Sequence, residues 1–218
     1  MNIDQHYPFS LIKLDYNLSG FSNFLDFQTM SIHYNQIYKE YVDNLNELIK
    51  DEPVLQNLTI EEILFNKEII PLDKRNDVLK NAGGVYNHEI IFQSITPNPL
   101  VIISPQLRYA IEKKFQTTKN FFDEFVKLCL KTSCGYVFLV CDQNGDVSLK
   151  SIQGTNTTVP DNLCPLFGID LFEHAYYLNY FHNVKDYVDN FLKYINFDFV
   201  NTRFFECISS IIDFTKKK

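Results

Sequence analysis

Tryptophan is absent from this chain, so its aromatic bulk falls to 20 Phe and 13 Tyr. No run of about 18 apolar residues occurs, which excludes an expected membrane-spanning helix. No Cys-x-x-Cys occurs either. The five cysteines (Cys129, Cys134, Cys141, Cys164 and Cys207) are odd in number and lack zinc-knuckle spacing, so buried reduced thiols are expected. Basic charge is scarce: 20 Lys and Arg against 27 Asp and Glu give a net charge of −7. That balance argues against a general binder of nucleic acid or of anionic membranes. The one basic run, Lys216-Lys217-Lys218, reads as a frayed, solvated tail. The amino terminus, MNIDQHYPFSLIKLDYN, has no basic start and no apolar core of a signal segment, so a cytoplasmic protein is expected.

Across its 218 residues the chain has the apolar and charged content of a soluble globular protein with a sizeable core, and no internal repeat. After an irregular arm to about residue 25, apolar residues from Asp26 to Lys50 recur at helical steps, with no Pro or Gly between them. Thr59-Ile-Glu-Glu62 has capping-box spacing and predicts a short helix from Ile60. A second long helix is expected over residues 73–95, interrupted at Gly83-Gly84. Each Gly there costs about 1 kcal/mol relative to Ala unless a close approach needs it.

Pro97-Asn-Pro99 marks the expected boundary between lobes of residues 1–97 and 98–218. The second lobe should open with helices near 104–115 and 118–131. Strands follow at Gly135–Cys141 and Asp146–Ser151, with Asn144-Gly145 as the hairpin turn. A third strand is expected over Leu163–Ile169, and helix after Leu171. The expected class is α+β: an antiparallel helical hairpin, then a three-stranded antiparallel sheet with flanking helices.

There are only five histidines. His33 falls in the first long helix and His88 in the second. Asp170-Leu-Phe-Glu-His174 follows the third strand, and its four-residue step puts carboxylate and imidazole on one side of a helix start. If the long helices pair antiparallel, both imidazoles point at one spot, which the strand-end pair closes. Three nitrogens and a carboxylate oxygen, with no thiolate, suit iron or manganese better than structural zinc.

Three segments carry a resemblance. They are Ser31-Ile-His33 through Asn46, Gly83-Gly-Val-Tyr-Asn-His88, and Gly168-Ile-Asp170-Leu-Phe-Glu173-His174-Ala-Tyr-Tyr177-Leu. Together they resemble the signatures of iron/manganese superoxide dismutases, and weaker matches extend the likeness from about residue 9 to 204. The resemblance implies that His33, His88, Asp170 and His174 hold one manganese ion per subunit, with iron as the alternative. The implied reaction converts superoxide to oxygen and hydrogen peroxide. Tyr41 is implied as a gate and proton donor. Glu173 and Tyr177 are implied as bridging groups of a homodimer or tetramer, with Glu173 reaching the other subunit's metal-binding His174.

This chain departs from the family pattern in several places. Where the family has Trp around the metal, it has Tyr86, Tyr136, Phe138, Phe172 and Phe197. Ile37 replaces a His often found four residues after the first ligand. The family also sets a Gln against the metal-bound solvent. Gly84 stands at the position iron types use for it, which leans toward manganese, while Gln153 and Thr155 are the candidates in the later loop. Ile37 and Thr155 motivate a second reading, a catalytically weak or inactive homologue with a structural or interaction role. The four intact ligands oppose it.

Overall fold

A computed structural model describes residues 5–100 and 102–209, so the Lys216–Lys218 run lies outside the described residues. The arm that precedes the first helix is held from two sides. Phe9 exchanges two 2.8 Å hydrogen bonds with the Asn46 side chain. The Tyr34 hydroxyl donates to the Ile12 carbonyl, and the Tyr38 hydroxyl accepts from the Ile12 amide.

Asp26 caps the first helix, accepting from the Thr29 amide at 2.7 Å. The predicted single helix is in fact three joined segments: α1 (Phe27–Ile32), a π-helical stretch (His33–Tyr38) and α2 (Lys39–Ile49). Periodicity could not reveal this, because a π turn displaces the pattern by one residue and leaves the apolar face recognisable. The wide turn begins at His33.

Pro53 opens the short α3 (Pro53–Gln56). α4 (Ile60–Phe65) carries the full capping box between Thr59 and Glu62. α5 (Arg75–Gln93) is buried around its whole circumference from Asn81 to Phe92. Gly83 and Gly84 do not break it, contrary to the expected interruption. A Cβ at Gly83 would lie 2.0 Å from the Thr155 carbonyl oxygen, and one at Gly84 would lie 2.4 Å from the Tyr41 ring. The two glycines are where α5 admits a loop on one side and α2 on the other.

α6 (Pro105–Phe115) and α7 (Thr118–Cys129) start at side-chain caps, Ser104 and Thr117. The sheet has the order β2-β1-β3, with central β1 (Gly135–Cys141) antiparallel to both β2 (Val147–Gln153) and β3 (Cys164–Asp170). β1 and β3 are buried along their whole length, as their unbroken apolar runs require. The hairpin turn is a residue longer than the tight one expected. Gln143–Gly145 form its loop, with Gly145 at φ 81°. Asp142 Oδ1 accepts from the amides of Asn144 and Asp146 across it.

α8 (Glu173–Tyr180), α9 (Val184–Phe191) and α10 (Phe197–Ile208) complete the chain. The architecture is α+β, a helical hairpin followed by a three-stranded antiparallel sheet with helices on it. Among the described residues, no helix is long and apolar enough to cross a membrane.

Candidate metal centre

Four side chains from four places in the chain converge at the junction of hairpin and sheet. His33 comes from the π-helical turn, His88 from the middle of α5, Asp170 from the end of β3 and His174 from the first turn of α8. One potential ligand atom from each lies within 4.8 Å of all the others. Asp170 is at the centre. Its Oδ2 is 3.2 Å from His33 Nε2, 3.2 Å from His174 Nε2 and 4.0 Å from His88 Nε2.

The surroundings fix each group. His88 Nδ1 is 2.7 Å from the Gly84 carbonyl, which can only accept, so the ring proton sits on Nδ1 and the Nε2 lone pair faces inward. Asp170 Oδ1 accepts from the Phe172 amide at 2.8 Å, leaving Oδ2 toward the imidazoles. The Tyr187 hydroxyl donates to the Asp170 carbonyl at 3.0 Å and pins the strand end to α9. Phe92 packs its ring 5.0 Å from that of His33, and Phe172 stacks on His174 at 5.4 Å.

Burial pushes the His88 pKa down to about 3, with neighbouring His33 adding to the effect, and burial lowers His33 as well. Both rings are therefore neutral near pH 7, the form that binds a metal. Burial alone would raise the Asp170 pKa, but the neighbouring His174 and His33 hold it well below the usual carboxylate range. The result is one anion facing three imidazoles.

A cation fits this set. His33 Nε2 and His88 Nε2 are buried with no hydrogen-bond partner, a state that costs free energy unless something accepts their lone pairs. A metal ion is such an acceptor, and three nitrogens with one carboxylate oxygen form an oxygen- and nitrogen-rich site suited to manganese or iron.

The other residues singled out from the sequence fall into two groups. Tyr41 is beside the site: its ring is 5.3 Å from that of His88, and burial and then Asp170 raise its pKa. Tyr136 lies edge-on to His88, with Phe138 stacked on it and Phe172 edge-on to it. Tyr86, in contrast, lies beside Arg203, with Glu61 and Cys164 in electrostatic range. Phe197 starts α10 and is buried there. Glu173 and Tyr177 are exposed on α8, beside His174 in sequence. Gln153 is exposed at the end of β2, and Thr155 lines a surface groove with Lys67, Asn76 and Lys80. Four cysteines are buried, Cys134 is exposed, and all five are free.

Sequence reasoning passed over Tyr38, whose ring lies parallel to His88 at 5.7 Å, and Tyr187. The helical step from Tyr34 to Tyr38 was legible as core. Tyr187 had no signal, because its role depends on a contact 17 residues away.

Comparison with known proteins agrees with this geometry. The α-hairpin domain of the iron/manganese superoxide dismutases matches residues 8–96, and their C-terminal domain matches residues 103–203. A manganese superoxide dismutase of Leptolyngbya boryana is 33% identical over 198 residues, covering 90% of this chain and 83% of that protein. One from Listeria innocua is 31% identical over 197 residues, covering 90% of this chain and 97% of its own length. One from Bacillus anthracis is 31% identical over 203 residues, covering 93% and 97%. With three imidazoles and a carboxylate on one point, on a hairpin-and-sheet scaffold matched along both halves, this chain belongs to the iron/manganese superoxide dismutase family.

Proposed function

We propose that this protein disproportionates superoxide to oxygen and hydrogen peroxide, with manganese held by His33, His88, Asp170 and His174. The observation that carries the reading is the pair of buried, unpartnered Nε2 atoms of His33 and His88 facing the Asp170 carboxylate. Manganese rather than iron is favoured by the names of the relatives, and by the absence of a side chain at Gly84.

A manganese ion held by His33, His88, Asp170 and His174 would supply one-electron redox chemistry between +3 and +2. The chain's own residues do the rest. Asp170 supplies the single negative charge of the donor set and the imidazoles of His33, His88 and His174 its nitrogens, so an ion held there would retain net positive charge. The Gly84 carbonyl and the Phe172 amide hold His88 and Asp170 in orientation, which is the usual work of groups behind the ligands. Phe92, Tyr38 and Phe172 exclude water from the rings they pack on. Tyr41 remains a protonated phenol near neutral pH and holds a proton at the edge of the site.

Exposed Glu173 and Tyr177 serve a second copy of the chain: Glu173 of one subunit orients His174 of the other, in a homodimer or a tetramer. His174 is the one ligand with a partly exposed side chain, at 26%, which supports this placement. Division of the chain at residues 97/98 belongs to the same proposal and is supported by the separate family matches to residues 8–96 and 103–203. A cytoplasmic location is part of the same proposal.

Superoxide decay should be measured on protein loaded separately with manganese and with iron, alongside metal analysis of His174→Ala. Turnover with manganese and loss of metal from the variant are expected. Bound metal without turnover in either form refutes the activity, and near-full metal content in His174→Ala refutes the ligand set.

A further inference from the structure

Besides the two imidazole nitrogens, a hydroxyl on the sheet side of the centre lacks a partner. Tyr136 is fully buried on β1, and its hydroxyl has no hydrogen-bond partner. It is directly opposite Asp170 in the β1–β3 ladder. Directly opposed residues on antiparallel strands project from the same face of a sheet, so the Tyr136 ring leaves the sheet on the side where Asp170 meets the histidines. The ring lies edge-on to His88 at 6.3 Å, with Phe138 stacked on it at 5.8 Å and Phe172 edge-on to it at 5.5 Å.

A phenol in that cage cannot turn to water, because apolar rings hold it on both sides. Buried hydroxyls without a partner are rare, and each calls for an explanation. At this position a phenyl ring would provide the same bulk without the cost. Neither loop candidate fills the need for a donor here, since Gln153 is exposed and Thr155 lines a surface groove.

We propose that the Tyr136 hydroxyl donates a hydrogen bond to the water or small anion that occupies the open position of the metal centre. The inference rests on the metal-binding reading above. It gives this tryptophan-free chain a donor carried by β1, distinct from Gln153 and Thr155.

The test compares Tyr136→Phe with the parent, each with and without manganese. Azide, a small anion, is titrated into the oxidised manganese form and followed by visible absorption. Loss of one such hydrogen bond should change azide affinity by about tenfold and move the midpoint of the absorption change with pH. Melting temperature gives a second readout. The metal-free variant should melt at or above the parent, because an unpartnered hydroxyl is removed, while the manganese-loaded variant should gain less from metal than the parent does.

Azide affinity and midpoint equal to the parent's, at full metal content, overturn the proposal. So does a melting loss of the same size with and without metal, which would mean the hydroxyl serves the fold through a structural water. Failure of the metal-free variant to fold overturns it for the same reason. A parent that neither holds manganese nor shows the visible band defeats the metal reading instead, and is told apart by that control.

Discussion

Replacing Gly84 with alanine tests whether α2 and α5 approach as closely as described. The added Cβ would fall 2.4 Å from Cδ1, 2.5 Å from Cγ and 2.7 Å from Cε1 of Tyr41. Carbon atoms in contact prefer about 3.5–4.0 Å, so the ring must retreat by about 1 Å. Overpacking of this kind costs about 1–3 kcal/mol. The helix regains about 1 kcal/mol from alanine's better propensity. The net loss is centred near about 1 kcal/mol, which in a chain of this size lowers the melting temperature by about 2–4 °C.

Gly83→Ala supplies the internal comparison. Its Cβ would meet the Thr155 backbone carbonyl at 2.0 Å, and a backbone atom cannot rotate aside as a ring can. Thermal unfolding of the metal-free proteins should therefore rank parent above Gly84→Ala above Gly83→Ala. Gly84→Ala should also alter the pH profile of superoxide decay, because the ring it displaces is the phenol beside His88. A Gly84→Ala protein that gains the full propensity increment, or a Gly83→Ala protein as stable as it, would refute the close approach.

Acid should destabilise the metal-free protein. His88 titrates at about 3 in the folded chain against 6.5 for a free imidazole, and His33 is shifted the same way, so the unfolded state binds more protons between those values. Stability must then rise with pH across that window and be lost as pH falls through it. Asp170 acts in the same sense lower down: its depressed pKa adds stability above the ordinary 3.8 that is lost as pH falls below it. Melting curves from about pH 4 to about pH 7 should show the rise, and a flat profile would contradict the buried neutral rings. Glu173→Ala should weaken self-association and metal retention together. Sedimentation at low concentration checks it, and an unchanged oligomer removes the bridging role.

The class of fold and the four residues that meet at the centre were legible in the sequence. Capping at Thr59, the apolar periodicity of α2 and the β-rich run from Gly135 to Cys141 are local signals, and local chemistry sets where such elements begin. The histidines and Asp170 were legible because the metal-binding residue types are few and their spacing places each on an element. The tertiary structure alone decided the rest. The π turn at His33, the unbroken passage of α5 through Gly83-Gly84, the hold of Tyr187 on Asp170 and the orphaned hydroxyl of Tyr136 all depend on which distant atom comes to lie opposite. A hydrogen bond or a clash is a relation between two places in the chain, and only folding brings those places within a few ångströms of each other.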